Sequence, residues 1–234
     1  MREDAHVETI GDYRIRIVSD DDPMHPRQDM DNIAKMACWH SWYDLGDKLE
    51  FSQPEDLEWR IEKEGFLNLP LYLYDHSGIT MNTTGFSCGW DSGQVGIIYI
   101  SLEDALEHFE IPAINVPPNP GIHPDDYEDL NKTAKKKIDA DYKRRAKFLR
   151  KLLGKDNITK MISYMEGEVK VYDDFISGNV YGFIVEKREA EKEDEDDEEW
   201  EELDSCWGFY GDYDGDVLEE ARSIVKHYTE KVSA

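Results

Sequence analysis

From Asp125 to Leu153 the residues Tyr127, Leu130, Ala134, Ile138, Tyr142, Ala146, Leu149 and Leu153 recur every three or four positions, and no other stretch constrains the fold as tightly. Apolar side chains at that spacing line one stripe of a 3.6-residue helix, so the segment reads as a single long amphipathic helix that Gly154 ends. Such a stripe must be covered by other elements. The rest of this helix is basic: residues 131–155 hold eleven of the chain's 27 Lys and Arg and only two acids, Asp139 and Asp141. A solvated face balancing acidic neighbours accounts for such a run, and so does a face for a partner or for phosphate, with Lys135, Lys136, Arg144 and Arg145 as its contacts.

The remaining pattern supplies strands and further helices. Tyr13, Ile15 and Ile17 alternate with Arg14 and Arg16, the period of a half-buried strand. Leu67–Tyr74, Val95–Ile100 and Val180–Val185 also read as strands, and the glycines between the first two favour tight antiparallel turns. Ile33–Tyr43 is apolar but ambiguous in period. Ser52 with Pro54 and Glu55 resembles a capped helix start, and Ser101 caps a short helix to His108. Ile158–Ile176 and Asp216–Val232 carry helical spacing. Ile111–Pro124 is a proline-rich irregular connection. The expected fold class is α+β, a mostly antiparallel sheet packed against long amphipathic helices in a single domain over residues 1–234.

Charge narrows the class of partner. The 234 residues include 53 acids against 27 Lys and Arg, a net charge of −26, with 39% hydrophobic and 12% aromatic residues for a core. A surface so acidic repels phosphate, so direct nucleic-acid binding is disfavoured. Residues 186–204, thirteen acids with three bases, offer little to bury and read as a flexible acidic loop between strands carrying Phe183 and Trp207. Glu193, Asp194, Glu195, Asp196, Asp197, Glu198 and Glu199 are its candidate partner-binding residues. Cys38, Cys88 and Cys206 are too few and scattered for a disulfide framework. Neither a signal peptide nor a membrane span is expected, which points to a soluble cytoplasmic protein.

Three blocks concentrate reactive side chains: Cys38-Trp39-His40, Asp75-His76-Ser77-Gly78 with Cys88-Gly89-Trp90-Asp91-Ser92-Gly93, and Asp204-Ser205-Cys206-Trp207-Gly208. A thiol nucleophile needs an imidazole to draw off its proton and a carboxylate to orient that imidazole. Cys88, His76 and Asp75 or Asp91 are the candidate catalytic residues for such a hydrolase, although a Cys on a strand also serves as a small apolar residue. Only Cys38 and His40 have the close spacing of zinc ligands, and Asp212–Asp216 departs from a calcium loop after five positions. No metal or cofactor is expected.

The blocks Asp31–Ile33 through Met36–His40, Leu45–Asp47, Leu69–Thr80, Trp90–Gly96, Val180–Phe183 and Asp204–Gly211 resemble a family of uncharacterised proteins encoded by bacteriophages and mobile elements. That resemblance spans most of the chain and carries no activity, ligand or catalytic residue with it. It implies an accessory protein in the cytoplasm of a bacterial host. With the charge, it gives the expectation of a non-enzymatic protein that inhibits or modulates a host nucleic-acid-processing or defence protein, in part as a DNA mimic. A Cys/His-dependent hydrolase and a nucleotide-sequestering protein are the alternatives.

Overall fold

A computed structural model describes residues 4–48, 54–189 and 200–232. The chain is α+β, and its described strands form two separate four-stranded antiparallel sheets. Contacts divide it into two compact units, residues 1–30 with 171–234 and residues 31–170.

In the first unit, strands β1 (Asp4–Ile10) and β2 (Tyr13–Ser19) form a hairpin, and β2 pairs with β7 (Val180–Arg188), which pairs with β8 (Trp200–Tyr210). The alternation at Tyr13, Ile15 and Ile17 buries all three with Phe183 and Val185. Helix α6 (Asp216–Val232) closes that face with Val217, Leu218, Ala221 and Val225. On β2 the intervening residues Arg14 and Arg16 both reach Glu186, at 2.5 and 3.5 Å, and Arg16 also grips Asp4 at 2.8 Å. Glu186 is only 7% exposed, so these cations supply the compensation a buried carboxylate requires.

Arg14 and Arg188 correct the expected start and end of the acidic loop. Strand pairing runs on through Arg188 and resumes at Trp200, because Arg14 and Arg188 lie over the Trp200 ring at 4.2 and 5.3 Å. Polarity alone reads such residues as loop; cation–π contacts and ion pairs hold them in a ladder. Residues 193–199, the candidate partner-binding acids, lie outside the described residues, as does Ser52.

In the second unit the sheet order is β3 (Lys35–Cys38), β6 (Ser92–Ile100), β4 (Leu67–Asp75) and β5 (Ile79–Asn82). Strand β6 is therefore central, and Ile97, Ile98, Tyr99 and Ile100 on it are all buried. Helices α1 (Pro54–Glu64), α2 (Leu102–His108), α3 (Pro124–Glu128) and α4 (Lys132–Leu153) belong to this unit, with α4 packed on α1 and α2. Ser101 caps α2 by accepting from the Asp104 amide, as its sequence position requires.

The single helix expected over Asp125–Leu153 is two. The Asn131 side chain accepts the amides of Thr133 and Ala134, and this local bond starts a new helix where apolar spacing by itself predicts continuation. Within α4 Tyr142, Leu149 and Leu153 are buried. Helix α5 (Lys155–Ile176) follows Gly154, and the division between the two units falls inside it. Among the described residues no helix is long and apolar enough to cross a membrane.

Gly96 is the tightest point of the second sheet. It pairs with Cys38 on one side and Leu71 on the other, and an added Cβ would collide with the Ala37 carbonyl oxygen. Gly93, on the same strand, has nothing within 4 Å of that position. Gly96→Ala is therefore expected to destabilise by about 1–3 kcal/mol through overpacking. Gly93→Ala should shift the thermal midpoint little. Thermal unfolding of the two variants beside the parent checks the contrast.

Candidate functional site

Three chain segments end together at one edge of the second unit's sheet. Strand β4 finishes at Asp75, and the turn His76-Ser77-Gly78 carries the chain into β5, with Ser77 in the left-handed region at φ 59°. The loop from Thr83 returns to β6 through Cys88–Asp91, where the Asp75 amide donates to the Asp91 carbonyl at 2.8 Å. Ser92 Oγ donates to the Cys88 carbonyl and closes this loop on itself. Beyond β3, the Trp39 amide donates to the Val95 carbonyl at 2.7 Å, and the chain turns through His40–Tyr43. His40 Nδ1 accepts the amides of Trp42 and Tyr43, each at 3.2 Å, while its ring stacks on Tyr43 at 5.1 Å.

The predicted chemical residues do meet here. Asp91 Oδ2 lies 3.5 Å from His76 Nδ1 and 3.8 Å from Cys88 Sγ. Asp75 Oδ2 accepts the Tyr43 hydroxyl at 3.0 Å. His76 also stacks on Tyr74, which meets Phe86 as well. The order, however, is thiol–carboxylate–imidazole. A nucleophile needs the imidazole beside the thiol, whereas here the Cys88 thiol meets the Asp91 carboxylate, which places negative charge where a thiolate would form. His76 and Asp91 are also open to solvent, with side chains 66% and 42% exposed. Next to the cluster lies an open groove of about 560 Å³, lined by Tyr72, Thr84, Phe86, Ser87 and Ser92 with three glycines.

Of the block Cys38-Trp39-His40, His40 enters this site through its turn to Tyr43, while Cys38 does not. The Cys38 sulfur packs close to Gly46 and Gly96, and Cys206 belongs to the other compact unit. Among the described residues no group of three His, Cys, Asp or Glu is placed to hold a metal ion.

Part of the basic helix is committed internally. Arg145 bonds Glu103 and the Pro117 carbonyl, Arg144 pairs with Asp141 at 3.1 Å, and Lys135 pairs with Glu128 at 2.7 Å. Lys136 lines a shallow groove with Tyr127, Lys132, Lys135, Asp139 and Lys143. Within it Asp139 accepts from both Lys63 and the Tyr127 hydroxyl at 2.9 Å. Lys63 holds the Asp139 carboxyl below its ordinary value, Tyr127 adds to the effect, and burial opposes it. Of the four predicted phosphate contacts, three thus have intramolecular partners.

The sequence pattern singled out Cys88, His76, Asp75 and Asp91, and His40 only as a close neighbour of Cys38, but missed Tyr43 and Trp42. Their signal was present in the aromatic run Trp39–Tyr43, which carries no periodicity to assign its faces. No family model matches the chain, and neither a curated protein nor a solved structure matches it.

Two pH tests follow from these bonds. Donation to Asp75 is the main cause that raises the Tyr43 phenol above its ordinary value. A raised phenol favours the protonated folded state, so this contribution is present below about pH 10 and is lost as pH rises through the folded value. Asp75→Asn should bring the Tyr43 titration down, as read by its ring NMR shifts. For Asp139, whose value is lowered, the contribution is present above the ordinary carboxylate range and is lost as pH falls through the folded value. Asp139→Asn should cost less than about 1 kcal/mol at neutral pH, given the pair's exposure. The difference from the parent should vanish in acid denaturation series.

Proposed function

We propose that the chain is a non-enzymatic, phage-encoded interaction protein of the bacterial cytoplasm, which engages and modulates a basic host protein of nucleic-acid processing or defence through its acidic surface. The observation that carries this reading is the uneven charge. Residues 1–30 and 171–234 hold 29 acids against 10 Lys and Arg, a net −19. The larger unit, residues 31–170, has 24 acids against 17, a net −7. Asp12, Asp21, Asp22, Glu201, Glu202, Asp204, Asp212, Asp214, Glu219 and Glu220 are all exposed in the first unit.

A field of one sign steers an oppositely charged partner into encounter and disfavours nucleic acid itself. A protein that ordinarily binds phosphate backbones offers the matching surface, which is the physical content of DNA mimicry. The resemblance to phage and mobile-element proteins supports the bacterial setting. The hydrolase alternative is weakened by the carboxylate between Cys88 and His76, and the nucleotide alternative by the internal pairing of Lys135, Arg144 and Arg145.

The test is affinity capture from bacterial lysate. A basic, nucleic-acid-binding host protein should be retained at low salt and released both by high salt and by added duplex DNA. Neutralising Glu201, Glu202 and Asp204 to the corresponding amides should weaken retention. Failure to retain any host protein at low salt would remove the proposal.

A further inference from the structure

The exposed aromatic residues around the Asp75–Asp91 cluster have no role in the charge reading above. Trp90 is 97% exposed and Trp42 is 87% exposed, while Tyr43 is 36% exposed. Indoles are mostly buried in folded chains because they remove so much apolar area from water. Trp42 precedes Tyr43, whose hydroxyl is bound to Asp75, and Trp90 precedes Asp91, whose carbonyl accepts the Asp75 amide. Two exposed indoles are thus attached to neighbouring points of one hydrogen-bonded carboxylate network.

The stretch that carries Asp75, Trp90 and Asp91 is charged with one sign. Between Lys63 and Lys132 the sequence contains no Lys or Arg at all, but it contains eleven acids. The Asp75 carboxylate meets the Tyr43 hydroxyl, and that of Asp91 meets the Cys88 thiol and the His76 imidazole, with no Lys or Arg paired to either among the described residues.

We propose that Trp42, Tyr43, Asp75, Trp90 and Asp91 form a docking patch for an arginine-bearing segment of a partner protein. A guanidinium satisfies both halves of the patch: its face lies on indole or phenol rings, and its edge donates to carboxylates. Exposed Trp and Tyr beside charged groups are also the residue types that dominate protein-binding energetics. Single-stranded nucleic acid, the other common ligand of exposed aromatics, requires cations along its phosphates, and the stretch carrying Asp75, Trp90 and Asp91 supplies none. The patch deepens the proposed function and rests on it, since it places a specific contact for a basic partner outside the most acidic unit.

The test uses the full chain and a defined probe, acetyl-Arg-Gly-Arg-amide, with the citrulline counterpart as the uncharged control. At physiological ionic strength, where diffuse attraction is screened, the indole N–H resonances of Trp42 and Trp90 should shift saturably with the arginine probe. That of Trp59, packed between Tyr127 and Tyr142, should stay still. The citrulline probe, or the Asp75→Asn and Asp91→Asn double variant, should bind at least roughly fivefold more weakly, in line with loss of charge-assisted bonds. Trp42→Ala with Trp90→Ala, both exposed and so without effect on folding, should abolish the remaining shifts of the Tyr43 ring. The proposal is overturned if the two indoles do not move, or if the citrulline probe moves them equally. Because no lysate protein enters this assay, its failure with successful lysate capture removes the patch alone. The converse result removes the acidic-surface reading and leaves the patch.

Discussion

Strand β6 is the constraint on which the second unit depends. It is flanked by β3 and β4, both antiparallel to it, and Gly96 lets the backbone of β3 approach where any side chain would push it away. Because β3 and β4 both run opposite to β6, their C-terminal ends lie at the end where β6 begins. Asp75 with His76, the turn His40–Tyr43 and the loop Cys88–Asp91 therefore converge by topology. No contact among their side chains is needed to bring them together, which leaves those side chains available for other work.

The first unit handles charge in a different way. Its sheet is apolar toward α6, while Glu186 with Arg14, Arg16 and Asp4 forms a linked ion-pair array. Arg14 does double duty, bonding Glu186 and covering the Trp200 ring. The array consumes two of the ten Lys and Arg in that unit, and Arg222 pairs with Glu8. What remains on its surface is predominantly acid. In the second unit Arg145, Lys135 and Arg144 of α4 are instead paired with Glu103, Glu128 and Asp141, so part of a run that reads as a basic face in one dimension is neutralised by folding.

These arrangements explain why the cluster at Asp91 suits recognition better than nucleophilic chemistry. A catalytic thiol depends on a specific order of groups and on shelter from water, and the cluster has neither: the carboxylate stands between thiol and imidazole, and the imidazole is exposed. Recognition of a cation depends on accessible carboxylates and aromatic faces, and both are present. Tyr43 is held by Asp75 and by stacking on His40, so one wall of the patch is ordered before anything binds, which reduces the entropy lost on association.

Elements whose patterning reflects a single buried face were legible in the sequence: the strand at Tyr13–Ile17, the helix at Asp216–Val232, the capped helix after Ser101, and the α+β class itself. Local hydrogen bonding that opposed the pattern was not, as Asn131 starting a second helix demonstrates. Strands β1 and β5 were missed because their partners, rather than their own periodicity, define them. At the candidate site the sequence determined which residues carry chemistry, Cys88, His76, Asp75 and Asp91, since side-chain type is fixed by sequence. Only the tertiary structure decided their order in space, the recruitment of Tyr43 and the exposure of Trp42 and Trp90, because distances between segments dozens of residues apart are set by strand pairing across β6 and by nothing local to those segments.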